Sequence, residues 1–125
     1  MQFKFRRLNH VQIIIPAGAD AEAQAREFYA GLLGLSEIPK PEPLRANGGL
    51  WFRVADVELH LGVEPVTAKT KRHPAFEVEN LEAMRALFTE RGVRVKDETR
   101  IPGVERFSFF DPFDNRIEVM ELTGV

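Results

Sequence analysis

Residues 111–118 of the chain read Asp-Pro-Phe-Asp-Asn-Arg-Ile-Glu, a run of turn-forming residues that leads directly into a strand-like segment. Pro presets its own backbone angle, and the short side chains of Asp and Asn bond to nearby backbone groups. The run therefore predicts a tight turn between two strands, residues 106–110 and Arg116–Leu122. Asp114 tolerates a left-handed backbone, and Asn115 is expected to serve the turn.

The first half of the chain shows a strand, a helix and a hairpin in its pattern of apolar residues. Residues 8–15 are rich in β-branched side chains and predict a strand. Residues 25–33 carry apolar side chains at helical spacing, with Asp20 as a candidate N-cap and Gly34 as the stop. The hairpin strands are predicted at Leu50–Val54 and Val57–Val63, joined by Ala55-Asp56.

The second half repeats this order. Residues 73–78 predict a short strand, and a helix is predicted from Asn80 to just before Gly92. The remaining predicted strands are residues 93–96, residues 106–110 and Arg116–Leu122. The chain is therefore expected to contain two βαβββ-type units.

Intervals between matching residues support a repeat. Gly34 precedes His60 by 26 residues, and Gly92 precedes Glu118 by 26 residues. The interval before each glycine is five residues longer in the first half, and we expect the extra residues in the connector 16–22. Units of this size bury one face of a sheet poorly alone, so two should pack together.

These intervals also predict the domain organisation. The whole chain, residues 1–125, is expected to form a single domain. It comprises one repeat at residues 8–63, a linker at residues 64–72 and a second repeat at residues 73–122.

Composition and charge describe an ordinary globular chain of 125 residues, 44% hydrophobic and 29% charged. A net charge of −2 with scattered Lys and Arg offers no basic surface for nucleic acid or an anionic membrane. No run predicts a membrane span or a secretion signal, so we expect a cytoplasmic protein. Because there is no cysteine, any metal must be bound by His, Asp or Glu.

The repeat aligns His10 with His73 and His60 with Glu118. These positions include all three histidines of the chain. Imidazole nitrogens and carboxylate oxygens are ligands for divalent metals, and strands are rigid platforms for them. We therefore predict a metal site from these four residues.

Four segments together resemble the vicinal oxygen chelate superfamily, which includes glyoxalase I, bleomycin resistance proteins and extradiol dioxygenases. They are Leu-Asn-His10-Val, Phe28-Tyr29-Ala-Gly-Leu-Leu-Gly34-Leu35, His73-Pro-Ala-Phe-Glu-Val and residues 111–118. The resemblance implies an α+β fold in which paired βαβββ modules form a concave mixed sheet, the glyoxalase/bleomycin resistance/dioxygenase fold. It also implies a divalent metal ion, with Zn, Ni, Mn and Fe all compatible.

On that pattern His10, His60, His73 and Glu118 take the four ligand positions. Members similar to glyoxalase I usually have a carboxylate at the position of His60. Dioxygenase-like and fosfomycin-resistance-like members use two His and one Glu, which matches His10, His73 and Glu118. His60 is thus either a fourth ligand or a nearby acid/base.

The resemblance implies a metal-dependent enzyme of glyoxalase type, a lyase or isomerase that stabilises an enolate or alkoxide of a small oxygen-chelating substrate. The alternatives are a ring-cleaving dioxygenase or thiol transferase on the same site, and a non-catalytic protein that sequesters a small molecule. Ligand-type residues at the metal positions favour an enzyme over a binder.

Catalytic and pocket roles follow from the same comparison. Glu118 is the candidate base and His60 a candidate proton carrier. Trp51, Arg53 and Arg106 are predicted to line the substrate pocket. The resemblance further suggests a homodimer that pairs His10 and His60 of one chain with His73 and Glu118 of the other, with closure within one chain left open.

Overall fold

A computed structural model describes residues 2–65 and 70–124. The chain divides into two compact units, Met1–Thr67 and Ala68–Val125, called here the first and second unit. Each contains one four-stranded sheet. The predicted linker 64–72 includes residues 66–69, which lie outside the described residues, and the predicted single-domain organisation stays a prediction.

The first unit contains the predicted strand, helix and hairpin, and also a short strand and a 3-10 helix that were not predicted. Its strands are β1 (His10–Ile15), β2 (Ser36–Ile38), β3 (Leu50–Val54) and β4 (Val57–Val63). Helix α1 (Ala19–Arg26) continues as a π-helix (Glu27–Leu32), and a 3-10 helix (Glu42–Asn47) precedes β3. The sheet order is β1-β4-β3-β2, with β1 parallel to β4 and the other pairs antiparallel.

The second unit has the same topology. Its elements are β5 (Ala75–Glu77), α2 (Leu81–Arg91), β6 (Val95–Asp97), β7 (Val104–Phe110) and β8 (Arg116–Leu122). The sheet order is β5-β8-β7-β6, again with only the first and last strands parallel. The predicted α+β fold with two βαβββ units is therefore confirmed.

Strand register also supports the predicted alignment of the halves. His60 of β4 lies opposite Gln12 of β1, and Glu118 of β8 lies opposite Ala75 of β5. In each unit the other predicted histidine stands two residues before that partner. The two units thus place their candidate residues at matching positions of matching strands.

The core of the first unit lies between its sheet and its helix. Ile15, Phe52 and Leu61 are buried on one sheet face, and Tyr29 from the helical segment packs 5.7 Å from Phe52, ring to ring. Each buried Ile, Leu or Phe side chain contributes roughly 1.5–3 kcal/mol. Because side chains alternate along a strand, this burial leaves the alternate residues on the opposite face.

The core of the second unit is aromatic. Phe88 of α2 meets Phe107 edge to face at 6.1 Å and Phe109 at 4.7 Å, both on β7. The Arg85 guanidinium lies over the Phe107 ring at 4.6 Å. Offset and edge-to-face ring contacts stabilise the packing beyond the effect of apolar burial alone. These contacts hold the helix against the sheet.

Three expectations are corrected. The helix of the first unit begins at Ala19 with Gly18 as its N-cap, so the prediction of Asp20 as N-cap is wrong. Gly18 has a φ of 116°, a value that suits glycine and lets the helix begin two residues earlier than predicted. Asp20 instead lies in the first turn, where a negative charge favours the helix.

The five extra residues of the first half do not lie in the connector 16–22. The segments between strand and helix, residues 16–18 and 78–80, are of equal length. The helical segment accounts for three of them, because 8 residues of α-helix are followed by 6 of π-helix, against 11 residues in α2. One more lies in β1, which extends one residue further from its histidine than β5 does, and the last is Leu33, between the π-helix and Gly34.

The predicted strand 73–78 is shorter than expected. It spans Ala75–Glu77, and His73 lies in the extended segment before it. Pro74 has no N–H to donate, but its carbonyl accepts a hydrogen bond from the Glu118 N–H at 3.0 Å. The parallel pairing therefore continues one residue beyond the strand and holds His73 next to β8.

The N-terminus of α2 is capped from another strand. Asn80 has a left-handed backbone and makes no side-chain cap. The Glu121 carboxylate instead accepts hydrogen bonds from the N–H groups of Asn80 and Leu81, each at 3.0 Å. These bonds, that from Leu81 foremost, lower the pKa of Glu121 below its ordinary 4.5.

We predict that Glu121→Gln lowers the melting temperature at neutral pH, because a neutral amide is a weaker acceptor at a helix N-terminus. A depressed pKa gives stability that is present above the unfolded value and is lost as pH falls through the folded value. The difference between variant and parent should therefore shrink below pH 4.5. Circular dichroism melting measures it, with the exposed Glu90→Gln as the control. An equal difference at both pH values would contradict the capping role.

Candidate functional site

The polar face of the first sheet carries the candidate residues of that unit. His10, Gln12, Trp51, Glu58 and His60 alternate with the buried core positions of β1, β3 and β4. Their strands pair directly, with Trp51 opposite His60 and His10 opposite Glu58. The register therefore brings together residues about 50 positions apart in the chain.

Three rings form a stack on this face. The Trp51 and His60 rings are 3.7 Å apart and nearly parallel, with a 4° angle. The His10 ring lies 4.1 Å from His60 with a 15° angle. Enclosed in this way, His60 is only 5% exposed. The stack holds the His60 imidazole in one plane.

His60 is also held by an acidic neighbour. Its Nε2 lies 2.9 Å from Glu58 Oε1, and Arg53 approaches the other Glu58 oxygen at 3.3 Å. Burial lowers the pKa of His60 below 6.5, although the Glu58 hydrogen bond opposes this. The same hydrogen bond lowers the pKa of Glu58. The arrangement is a neutral imidazole whose Nε2–H donates to an ionised carboxylate.

An open cavity of about 530 Å³ lies beside this stack. Its lining residues come from β1, β3, β4 and the segment around the 3-10 helix: Gln12, Lys40, Leu44, Asn47, Gly48, Trp51, His60, Leu61, Gly62 and Val63. The predicted pocket residue Trp51 is among them. Arg53 is not, because its guanidinium turns to Glu58.

In the second unit the candidate residues form a contact chain. His73 Nε2 lies 3.0 Å from Glu118 Oε1, and Arg106 Nη1 lies 3.2 Å from Glu118 Oε2. Arg106 also donates to the Thr99 carbonyl from Nε at 3.1 Å and Nη2 at 2.8 Å. Glu118 is only 5% exposed, and each of its two carboxylate oxygens has a partner.

The His73–Glu118 pair requires a cation between its two atoms. His73 Nδ1 lies 2.7 Å from the Lys71 carbonyl, which can only accept, so Nδ1 carries a proton. In a neutral imidazole Nε2 then has a lone pair, and it faces a carboxylate oxygen that is also an acceptor. Either a second proton or a metal ion must bridge the two atoms.

A divalent metal fits this donor pair. Ligand atoms at about 2.0–2.2 Å from one ion lie roughly 3–3.6 Å from each other, depending on geometry. The 3.0 Å separation of His73 Nε2 and Glu118 Oε1 lies at the short end of this range of ligand–ligand distances. The Lys71 carbonyl supplies the outer hydrogen bond that usually fixes the tautomer of a ligating histidine.

The His10–His60 pair fits a shared metal less well. Their rings are almost parallel, so the in-plane lone pairs run side by side rather than toward one point. His60 Nε2 is committed to Glu58, whereas His10 Nδ1 lies 3.0 Å from Asn9 Oδ1. If that oxygen accepts, His10 Nε2 has the lone pair. Within either unit, residues 2–65 and 70–124 hold no cluster of three metal-ligand side chains.

Sequence reasoning missed a second buried network in the second unit. Glu98 accepts hydrogen bonds from Ser108 and Arg116, and these, Ser108 foremost, lower the pKa of Glu98. The strand register pairs Ser108 with Glu118, so this network adjoins the His73–Glu118 pair. Its only sequence signal was a polar Ser between two aromatic residues of a buried strand.

The turn at residues 111–115 forms as expected. Asp111 accepts hydrogen bonds from the Asn115 backbone and side chain, each at 2.8 Å, and Asp114 has a φ of 68°. Asn115 therefore serves the turn, and Asp114 adopts the left-handed backbone predicted for it. No helix in the described part of the chain is long and apolar enough to cross a membrane.

Comparisons with solved structures agree with this fold. A protein assigned to the glyoxalase family from Bacillus anthracis is 41% identical, with 98% of this chain and 99% of that chain covered and a TM-score of 0.88. The fosfomycin resistance protein FosX of Listeria monocytogenes is 17% identical, with 94% of each chain covered and a TM-score of 0.75. An antibiotic binding protein from Streptomyces is 21% identical, with 96% and 98% covered and a TM-score of 0.69. The last two show the fold alone.

Sequence comparison gives the family. A comparison with curated proteins found no match. The family model of the Glyoxalase/Bleomycin resistance protein/Dioxygenase superfamily matches residues 7–119, nearly the whole chain. Together with the Bacillus anthracis relative, this match confirms the resemblance inferred from the motifs. The chain belongs to the Glyoxalase/Bleomycin resistance protein/Dioxygenase superfamily.

Proposed function

We propose that this chain is a divalent-metal-dependent enzyme of glyoxalase type, a lyase or isomerase acting on a small substrate with two neighbouring oxygen atoms. The observation that carries the proposal is the His73–Glu118 pair, in which Nε2 and Oε1 lie 3.0 Å apart while Nδ1 is already bonded to the Lys71 carbonyl. A metal ion would satisfy both atoms at once and would need no change of tautomer at His73.

The proposed ligands are His10, His73 and Glu118. Two neutral imidazoles and one carboxylate form a set of nitrogen and oxygen ligands that accepts Zn, Ni, Mn or Fe. Which of these ions binds then depends on which is available in the cell. His10 belongs to the first unit and the other two ligands to the second. We propose that they meet in a homodimer in which each site takes residues from both copies.

His60 has a supporting role in this proposal. Its ring packs on His10, and its Nε2–H donates a hydrogen bond to Glu58. Outer-shell contacts of this kind orient a metal ligand. His60 is thus a positioning residue for His10 rather than a fourth ligand.

Glu118 is the proposed base. A bound metal would polarise the substrate oxygens and stabilise the negative charge that develops on them. For proton transfer Glu118 Oε1 would leave the metal position, take the proton from the adjacent substrate carbon and return it to the substrate, while Arg106 keeps Oε2 in place. The burial of Glu118 excludes water from that transfer.

The cavity beside Trp51 favours a second candidate function. Its lining includes none of the three proposed ligands. A protein that only binds a small molecule there needs no metal, and the antibiotic binding protein from Streptomyces shares the fold. A ring-cleaving dioxygenase or a thiol transferase would use the same metal site. Each differs from the leading proposal in the second substrate that it needs.

We predict that His73→Ala and Glu118→Gln each weaken Zn²⁺ binding at least about tenfold, because even outer-shell changes cost roughly 10–100-fold. Isothermal titration of Zn²⁺ into chelator-treated protein measures the change. Glu105→Gln replaces an exposed carboxylate of the same sheet and should leave the affinity unaltered. Equal Zn²⁺ affinity in parent, His73→Ala and Glu118→Gln would refute the metalloenzyme and leave the binding protein.

We predict that His60→Ala shifts the emission of Trp51, the only tryptophan, to longer wavelength, because the indole loses its stacked partner and meets water. Zn²⁺ affinity should fall less in this variant than in His10→Ala. The two readouts separate stacking from ligation. A loss of Zn²⁺ affinity as large as that of His10→Ala would make His60 a ligand.

A further inference from the structure

The cavity of the first unit has an electrostatic character that the proposed metal ligands do not explain. Among its lining residues, Lys40 is the one with a permanent charge, and none is a carboxylate. His60, also in the wall, is hydrogen-bonded to Glu58, which does not line the cavity. A cavity with a cation and no anion in its wall attracts negatively charged groups.

Lys40 is held at this wall. Its ammonium donates to the Gly48 carbonyl, and both residues line the cavity. An ammonium has three N–H donors, so this bond leaves two for a ligand. Glu22 is the nearest carboxylate to Gly48, but it does not line the cavity and accepts a hydrogen bond from the Gly49 N–H at 3.2 Å.

Two amides add neutral hydrogen-bonding groups to the cavity wall. Gln12 and Asn47 both line the cavity. Gln12 owes its position to Gly62, because a Cβ at Gly62 would lie 2.4 Å from Gln12 Nε2. Amide N–H groups bond to oxyanions without adding charge.

The rest of the wall is apolar. Leu44, Trp51 and Val63 line the cavity together with the groups described above. Ligand sites commonly combine an apolar wall with a few polar groups that set orientation, in volumes of roughly 300–1,000 Å³. The volume of about 530 Å³ suits a small molecule rather than a peptide.

The matching positions of the second unit are occupied differently. The strand register makes Met120 the counterpart of Gly62, and Ala75 the counterpart of Gln12. A long side chain thus stands where the first unit has glycine. The first unit alone has the glycine that admits Gln12 beside its cavity.

We propose that this cavity binds a small molecule that carries an oxyanion group, a carboxylate or phosphonate, on an apolar body. Lys40 pairs with the oxyanion, Gln12 and Asn47 bond to its oxygens, and Trp51 packs against the body. This inference goes beyond the proposed function, because the cavity wall contains none of the three proposed metal ligands.

The test uses chelator-treated protein at fixed ionic strength, with benzoate, phenylphosphonate and uncharged benzamide as probes. Isothermal titration and Trp51 fluorescence report binding, since Trp51 is the sole tryptophan. We expect saturable binding of at least one oxyanion, at least about tenfold tighter than benzamide, as a charge-assisted hydrogen bond provides. The probe that binds more tightly, benzoate or phenylphosphonate, shows whether the cavity prefers a planar carboxylate or a tetrahedral phosphonate.

Variants assign the effect to Lys40. Lys40→Gln should lower oxyanion affinity at least about tenfold, and Lys40→Arg should restore part of it because the charge returns. Lys96→Gln removes an exposed lysine of the second unit and should have no effect. Circular dichroism verifies that each variant is folded.

Two results would overturn the inference: benzamide binding as tightly as benzoate and phenylphosphonate, or an unchanged oxyanion affinity in Lys40→Gln. Zn²⁺ titration of the same preparations keeps the two proposals apart. Zn²⁺ binding without oxyanion binding refutes only the oxyanion site. Oxyanion binding without Zn²⁺ binding refutes only the metalloenzyme.

Discussion

Parallel pairing between the first and last strands of each unit is the constraint on which the candidate sites depend. A parallel pair cannot be closed by a hairpin, so the chain between the strands must cross over through a helix. That helix covers one sheet face and leaves the other for polar side chains. The pairing therefore brings His10 beside His60 in the first unit, and His73 beside Glu118 in the second.

The same framework carries different chemistry in its two copies. In the first unit His60 is enclosed by rings and bonded to Glu58, next to an open cavity. In the second, charged groups fill the equivalent face, and Glu118 is bonded to both Arg106 and His73. Burying these charges is tolerable because each is paired and hydrogen-bonded. Ligand recognition is therefore proposed for the first unit and acid–base chemistry for the second.

Much of this could be predicted from the sequence because strands and helices bury regular positions. Apolar periodicity located both helical segments and all the described strands except β2, and equal intervals aligned His60 with Glu118. The π-helix could not be foreseen, since extra residues have no preferred place in a periodic pattern. Neither could the partners of Arg53 or Arg106, because a flexible side chain selects among several nearby carboxylates after the fold forms.

The central proposal is that His73 Nε2 and Glu118 Oε1 bind one divalent metal ion. The most direct measurement is the imidazole ¹⁵N NMR spectrum of the protein before and after addition of Zn²⁺, with the His73 signals assigned by His73→Gln. The account predicts that Nδ1 of His73 stays protonated, held by the Lys71 carbonyl, while Nε2 moves to the shift of a metal-bound nitrogen. A His73 Nε2 signal unchanged by Zn²⁺ would contradict it.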